Sequence, residues 1–250
     1  MHKTLILNIE AQHKRLAFQI EQAERLGLRW QRIPAVTPDT VEPEPSHPYW
    51  GTWERPLRTT EMAGMRTHQM AWQQVSDSGT PALILEDDAI LHDAVPELLE
   101  QLGDDDRFEH VTLETRGRRK VIARQPASGL AIHRLWLDRS GAAAYYLRPS
   151  GAAKLLAHTE RSCGLADSVL CTTPSMRSWQ AVPALAVQFD MAEQSGVPLP
   201  FSVTSTIGAV SRPGGKTLGQ LWRRGSRQVR MGLTQLRWGT CKVIPDYRSV

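Results

Sequence analysis

Apolar positions along the chain alternate between two periods. Residues 3–9, Lys-Thr-Leu-Ile-Leu-Asn-Ile, form a short apolar run that predicts a buried strand. Leu16, Ile20, Ala23 and Leu26 then recur at helical spacing across 11–26, and Gly27 supplies a stop. Leu28 to Ile33 predicts a second strand, and a strand–helix–strand opening implies a parallel α/β sheet. Residues 34–58 break the pattern with six prolines, Trp50, Trp53 and no period. A stretch this long is either functional or a surface excursion pinned by its own aromatics. Periodicity resumes in a helix from Thr59 or Thr60, either of which can cap it, to about Ser78. Met62, Met65, Trp72 and Val75 make its stripe, Glu61 and His68 share a face, and Gly79 ends it. Pro81 to Leu85 is a continuous apolar run, as in a central buried strand. A helix near 94–102, a strand at 110–114 and a basic loop over 116–130 follow. Next come a strand from Ala142 to Leu147 and a helix from Ser150, as cap, to Ala157. A short helix from Ala166 to Cys171 and a strand at 183–189 complete the core.

The apolar run at 83–85 stops abruptly at Glu86-Asp87-Asp88. Three carboxylates at the end of a buried strand repel one another, and a divalent cation removes that penalty. Ligands in parallel α/β sheets gather beyond the carboxyl ends of strands, where this trio falls. In extended chain Glu86 and Asp88 face one way and Asp87 the other. Glu86 and Asp88 are thus candidate ligands for magnesium or manganese, completed by phosphate oxygens and water. The competing reading is a solvated acidic loop start. Asp104-Asp105-Asp106 has the same composition but follows a helix end and Gly103, which predicts a solvated turn. Taken alone, His68 reads as a satisfied histidine, Glu61 as a helix-start acid, Asp167 as an N-cap or first-turn acid and Tyr145 as a core aromatic.

Composition narrows the class. A 250-residue chain that is 41% hydrophobic and 22% charged is long enough for a real core, which excludes wholesale disorder, collagen and coiled coil. No apolar run reaches membrane-spanning length, and the N-terminal run is too short for a signal peptide, so a cytosolic protein is expected. Cys163, Cys171 and Cys241 form no CxxC pair, which fits a reducing compartment without a zinc site.

Charge divides the chain in two. Residues 212–250 hold nine basic residues and one acid, Asp246, for a net +8, whereas residues 1–211 are −4. In that tail Leu218, Leu221, Trp222, Val229, Leu233 and Leu236 fall at helical spacing, with Arg223, Arg224, Arg227, Arg230 and Arg237 mostly off the stripe. A basic amphipathic helix with Trp reads as an interfacial membrane binder. The alternative is a terminal helix that packs its stripe on the domain and leaves its basic face in water. The division expected is a catalytic domain over 1–211 and a basic amphipathic tail over 212–250.

The chemistry-bearing residues, taken in order, resemble glycosyltransferase family 25, the lipopolysaccharide and lipooligosaccharide glycosyltransferases. Asn8-Ile9 followed by Arg15, Pro34-Ala35-Val36, and the helix start Leu57-Arg58-Thr59-Thr60-Glu61 are similar to the family pattern. So are Thr67-His68 with Trp72, the strand ending in Glu86-Asp87-Asp88, and Gly141 to Tyr145. Gly151-Ala152-Ala153-Lys154-Leu155-Leu156, Ala166-Asp167, Val187-Gln188 and Ser205-Thr206-Ile207 complete the set, over about residues 3–210. Thr67 stands where the family has Ser, Gly64 where many members have Cys, and Arg66 at a usually apolar place.

The resemblance implies a GT-A-like, mostly parallel α/β fold flanked by helices and an inverting transfer from a UDP-sugar. Galactose is the commonest donor sugar in the family. It implies a metal at Asp88 with Glu86, and Asp87 on the ribose or sugar. It places Asn8 and Arg15 by the nucleotide. Asp167 becomes the general base with Glu61 in reserve, and His68 a binder of donor or acceptor. The implied acceptor is a lipid-linked oligosaccharide on the inner membrane, which agrees with an anionic membrane surface met through residues 218–238. Two other classes compete. A nucleic-acid binder would use the +8 tail, but that tail lacks interleaved exposed aromatics and a known motif, so no nucleic-acid partner is expected. A metal-dependent phosphohydrolase would need further ligands, such as His-Asp pairs, and none stands at convincing spacing.

Overall fold

The computed structural model describes residues 3–138, 141–199, 201, 215 and 217–247. The chain opens as its periodicity predicts, with β1 (Lys3–Asn8), α1 (His13–Arg25) and β2 (Arg29–Pro34). The 34–58 excursion is pinned by its own aromatics. Trp50 and Trp53 bury with Val41, Leu57, Met62 and Cys163, and Trp50 Nε1 donates to the Pro43 carbonyl at 3.0 Å. α2 (Thr59–Ser78) follows and ends at Gly79, whose φ of 64° is one that glycine adopts without a Cβ clash. The cap of α2 is not a threonine hydroxyl. The Glu61 carboxylate accepts the Arg58 backbone N–H at 2.9 Å.

β3 (Ala82–Glu86) is buried on both faces. Leu83 and Leu85 enter one core with Tyr146, Leu99 and Phe108, while Ile84 enters the other with Trp72, Tyr145 and Leu155. Beyond it lie β4 (Ala89–Leu91), α3 (Val95–Leu102), β5 (His110–Thr112), β6 (Lys120–Pro126), β7 (Ile132–Leu137) and β8 (Ala144–Leu147). α4 (Pro149–Thr159), α5 (Ala166–Thr172), β9 (Ser178–Ala181), β10 (Ala186–Gln188) and α6 (Phe189–Ala192) follow. α7 (Leu218–Thr234) and β11 (Thr240–Val243) are the last described elements. Ser150 is not the cap of α4, because Arg148 holds the cap position and Pro149 the first turn.

The main sheet has nine strands in the order β11-β6-β7-β9-β5-β8-β3-β1-β2. It is mixed, which corrects the mostly parallel expectation. β1 pairs parallel with β2 and β3, and β5 with β9, but β8 enters antiparallel between β3 and β5. β9, β7, β6 and β11 then run antiparallel to one another in turn. The cause is local. Chain 116–137 returns as a hairpin, and only a crossover of a dozen or more residues, usually a helix, makes neighbouring strands parallel. β6 falls inside the stretch read as a basic loop, because its buried positions Lys120, Val121 and Ile122 stand among exposed Arg118, Arg119 and Arg124.

The described part of the tail is tied to the domain. β11 is the edge strand on β6, and the guanidinium groups of Arg134 and Arg237 lie 4.7 and 3.6 Å from the Trp136 ring centre. The boundary expected at 211/212 lies outside the described residues, as do Arg212, Lys216, Arg248 and the Ser205-Thr206-Ile207 segment. Among the described residues no helix is long and apolar enough to cross a membrane.

Candidate active site

β1 and β3 end side by side, with Leu7 opposite Glu86, so Asn8 and Asp87 emerge together from the sheet. Asn8 Nδ2 donates to Asp87 Oδ2 at 2.8 Å, and Arg15, from the first turn of α1, reaches Asp87 Oδ1 at 3.1 Å. Arg32 from β2 closes the group by donating to Asn8 Oδ1 at 3.2 Å. The three residues expected near the nucleotide therefore touch one another. Burial raises the Asp87 carboxyl despite the pull of Arg15 and Asn8.

Glu86 and Asp88 meet at Gln188, but not by strict alternation: the chain turns at Asp87 and Asp88, and Asp88 Oδ2 still lies 4.0 Å from Arg15 Nη1. Glu86 and Asp88 both accept from Gln188 Nε2, at 3.0 and 3.2 Å. β10 sets Gln188 there by pairing with β4, and Phe189 N–H donates to the Asp88 carbonyl at 3.0 Å. Two buried glutamines of α1 fix the same turn. Gln19 donates to the Ala89 carbonyl at 2.7 Å, and Gln22 accepts the Leu91 N–H at 2.7 Å. Burial and the neighbouring Glu86 charge push the Asp88 carboxyl well above the carboxylate range. A cation between the two would hold Asp88 ionised at neutral pH. Among the described residues no group of three or more His, Cys, Asp or Glu is placed to hold a metal. Two carboxylates with the remaining ligands from phosphate and water is the composition that magnesium accepts, so these residues fit such an ion.

His68 stands behind Glu86. Its Nε2 lies 3.1 Å from Glu86 Oε1, and its Nδ1 lies 2.9 Å from the Tyr145 hydroxyl, which accepts from Trp72 Nε1 at 2.8 Å. Every proton in this chain is used when Tyr145 donates to Nδ1 and Nε2–H donates to Glu86. His68 is buried, with both ring nitrogens engaged inside the protein, so it orients Glu86.

Asp167 lies in the first turn of α5, and its Oδ1 accepts the Ser168 N–H at 2.6 Å. Burial, with the Glu86 and Asp138 charges, raises its carboxyl to about 6. Glu61 is committed elsewhere. Arg55 grips both its oxygens at 2.8 and 2.9 Å, and although burial works to raise it, these contacts and the Arg58 N–H hold it below the usual range.

Three charged residues beneath the site escape sequence reasoning. Lys120 and Asp138 pair at 2.7 Å in full burial, and Lys120 also donates to Gln180 at 2.5 Å. Burial raises the Glu114 carboxyl to about 8, against the Lys120 charge. Gly141, at φ 135°, passes so close that a Cβ would sit 3.1 Å from Glu114 Oε1 and 3.3 Å from Asp138 Oδ2. The usable signal was Gly141 preceding a buried strand. Lys120 reads only as part of a basic loop. A cavity of about 630 Å³ lined by Tyr49, Arg66, Gln69 and Glu160 opens beside α2, away from these carboxylates. The chemistry therefore follows from converging charges, not from cavity size.

A mixed α/β sheet with carboxylates gathered where its parallel strands end is an architecture suited to transferring a group from a phosphorylated donor. Residues 1–170 match glycosyltransferase family 25 (LPS biosynthesis protein), and the chain belongs to that family. It is accordingly a glycosyltransferase, and its family acts in lipopolysaccharide biosynthesis. No curated protein matches the chain. The matched span contains every sequence-predicted site residue from Asn8 to Asp167, while Gln188 and α7 lie beyond it.

Proposed function

We propose that the chain moves a hexose, galactose first among candidates, from a UDP-sugar to a lipid-linked oligosaccharide acceptor. The transfer inverts the anomeric centre and needs manganese or magnesium. The observation that carries this reading is the convergence of Glu86 and Asp88 on Gln188, beside the Asn8–Asp87–Arg15 group. Asn8, Arg15 and Asp87 bind the nucleoside end of the donor. Asp88, with Glu86, holds the cation, and His68 and Gln188 keep Glu86 in place. The bound ion supplies Lewis-acid stabilisation of the diphosphate as charge develops on it. Asp167 takes the acceptor hydroxyl proton as that oxygen bonds to the anomeric carbon and the bond to the diphosphate breaks. A carboxyl near 6 is ionised at neutral pH yet still basic enough for this step. The acceptor is lipid-borne, so the chain works at the cytoplasmic face of the inner membrane, with residues 218–238 toward an anionic surface.

Thermal-shift titration with UDP-sugars, with and without manganese, tests donor and metal together. Asp88→Ala should lose at least ~10²-fold in metal-dependent transfer, on the scale of one lost electrostatic contact to the leaving group, while staying folded. Asp167→Asn should keep the donor shift and lose turnover by ~10²-fold or more. Full activity of Asp88→Ala in chelator removes the metal role, and surviving turnover in Asp167→Asn moves the base elsewhere.

A further inference from the structure

α7 is amphipathic, yet it rests on the domain through its arginine face. Arg223 donates to the carbonyls of Gly51 at 2.7 Å and Trp53 at 3.3 Å. Arg227 pairs with Glu54 at 2.9 Å, donates to Ser168 Oγ at 3.1 Å and lies 5.1 Å from the Trp53 ring centre. With the buried Gln220, these residues recur at spacings of three and four and share one side of the helix. The apolar stripe lies on the opposite side. Leu218, Trp222, Val229 and Leu233 are 85, 75, 64 and 64% exposed, and Leu236 and Trp238, just past the end of α7, are 81 and 98% exposed.

The surroundings of that stripe are cationic. α7 contains no acidic residue, and helical geometry puts Arg224 beyond one edge of the stripe and Arg230 beyond the other. At the C-terminal end of α7 a cavity of about 320 Å³ is lined by Arg118, Arg119, Val121, Leu137, Gln235 and Lys242. Arg118, Arg119 and Lys242 are exposed, and among the described residues none has a hydrogen bond or ion pair through its side chain. Three cations around one notch, with no acid among the lining residues, repel one another, and a phosphate group relieves that repulsion.

We infer that α7 and this notch form a docking surface for an anionic phospholipid bilayer. The stripe enters the boundary between headgroups and acyl chains, Arg224 and Arg230 stay at headgroup level, and the notch takes a lipid phosphate. This deepens the lipid-acceptor reading and takes its purpose from it. Trp222 and Trp238 are exposed beside arginines, which corrects the expectation of a tail without exposed aromatics, but a nucleic acid would still leave Leu218, Val229, Leu233 and Leu236 in water. A second copy of the chain meeting this face would set arginine against arginine. The same helix has Arg227 on Ser168, the neighbour of Asp167, so lipid docking and the wall that carries Asp167 are two sides of one element.

Co-sedimentation of the full chain with phosphatidylcholine vesicles, with and without phosphatidylglycerol, tests the inference without donor or acceptor. Wild type should bind the anionic vesicles at least tenfold better. Trp222→Ser with Leu233→Ser should lose at least tenfold, with its Tm unchanged because both side chains are exposed. Arg118→Gln with Lys242→Gln should lose about fivefold per charge removed and keep its residual binding to neutral vesicles. The inference fails if the stripe variant binds as wild type. It also fails if that variant instead converts a dimer to a monomer on gel filtration, or if duplex DNA displaces the protein from vesicles. Transfer to a detergent-dispersed acceptor separates the two readings. Intact transfer with no vesicle binding overturns only the docking surface, and vesicle binding with no transfer overturns only the proposed reaction.

Discussion

α2 and α7 are both amphipathic, and they bury opposite faces. α2 enters the core on its stripe, where Met65, Trp72 and Val75 meet Leu5, Ile84 and Tyr145, and only then does its His68 reach Glu86. α7 turns its stripe outward and holds the domain with Arg223 and Arg227. The difference lies in what each helix meets. α2 lies over a sheet face lined by apolar side chains. α7 lies over the rim of the 34–58 excursion, where backbone carbonyls of Gly51 and Trp53 and the Glu54 carboxylate are the groups on offer. An apolar stripe specifies which face avoids water. The neighbouring surface decides what covers it.

The largest expected effect is on the inward stripe. Trp72 is fully buried and its Nε1–H anchors the Tyr145 hydroxyl. Trp72→Ala should cost ~3–5 kcal/mol in urea unfolding, the range for deleting a core aromatic. Trp72→Phe refills most of the volume and loses only the donor, so it should keep most of the stability and still lower turnover by loosening His68 behind Glu86. Wild-type turnover in Trp72→Phe would show that the Trp72–Tyr145–His68 chain does not position Glu86.

Next comes the polar face of α7. Burial, with the Glu86 and Asp138 charges, raises the Asp167 carboxyl to about 6 against the lowering pull of the Ser168 N–H and of the Arg227 charge. A base must be ionised to work, so turnover should fall as pH drops through about 6. Arg227→Ala removes a cation that favours the ionised form, so the acid limb of the kcat profile should move to higher pH. Arg227→Lys should restore part of the shift. An unmoved limb with unchanged stability would separate α7 from the site.

How far this was legible from the sequence depended on whether the deciding contact was local. The β1–α1–β2 opening and the span of α2 follow from periods of a few residues, whereas the turn at Asp87 and Asp88 that leaves both within reach of Arg15 does not. The hairpin of β6 and β7 did not, because its basic exposed positions hide buried Lys120, whose charge is cancelled by Asp138 eighteen positions along the chain. His68 could be placed on the Glu61 face of a helix but not behind Glu86, since that contact needs β3 and β8 paired. Gln19 and Gln22 look like solvated helix positions until the Ala89–Leu91 strand lies against them. The inward arginines of α7 were invisible for the same reason. Their partners Gly51, Trp53, Glu54 and Ser168 are more than fifty residues away.

The smallest expected effect is the sharpest check on the contrast between the helices. Trp222 is the same residue type as Trp72, on a helix of similar length, but it is 75% exposed. Exposed substitutions away from specific contacts fall within about 0.5 kcal/mol, so Trp222→Ala should leave the urea midpoint almost where it was. A double change, Trp222→Ala with Leu233→Ala, should stay as quiet, because distant exposed sites add little to each other. A loss above ~2 kcal/mol would mean that the folded chain covers the stripe itself, as α2 is covered. A neutral result leaves that face of α7 open to something outside the chain.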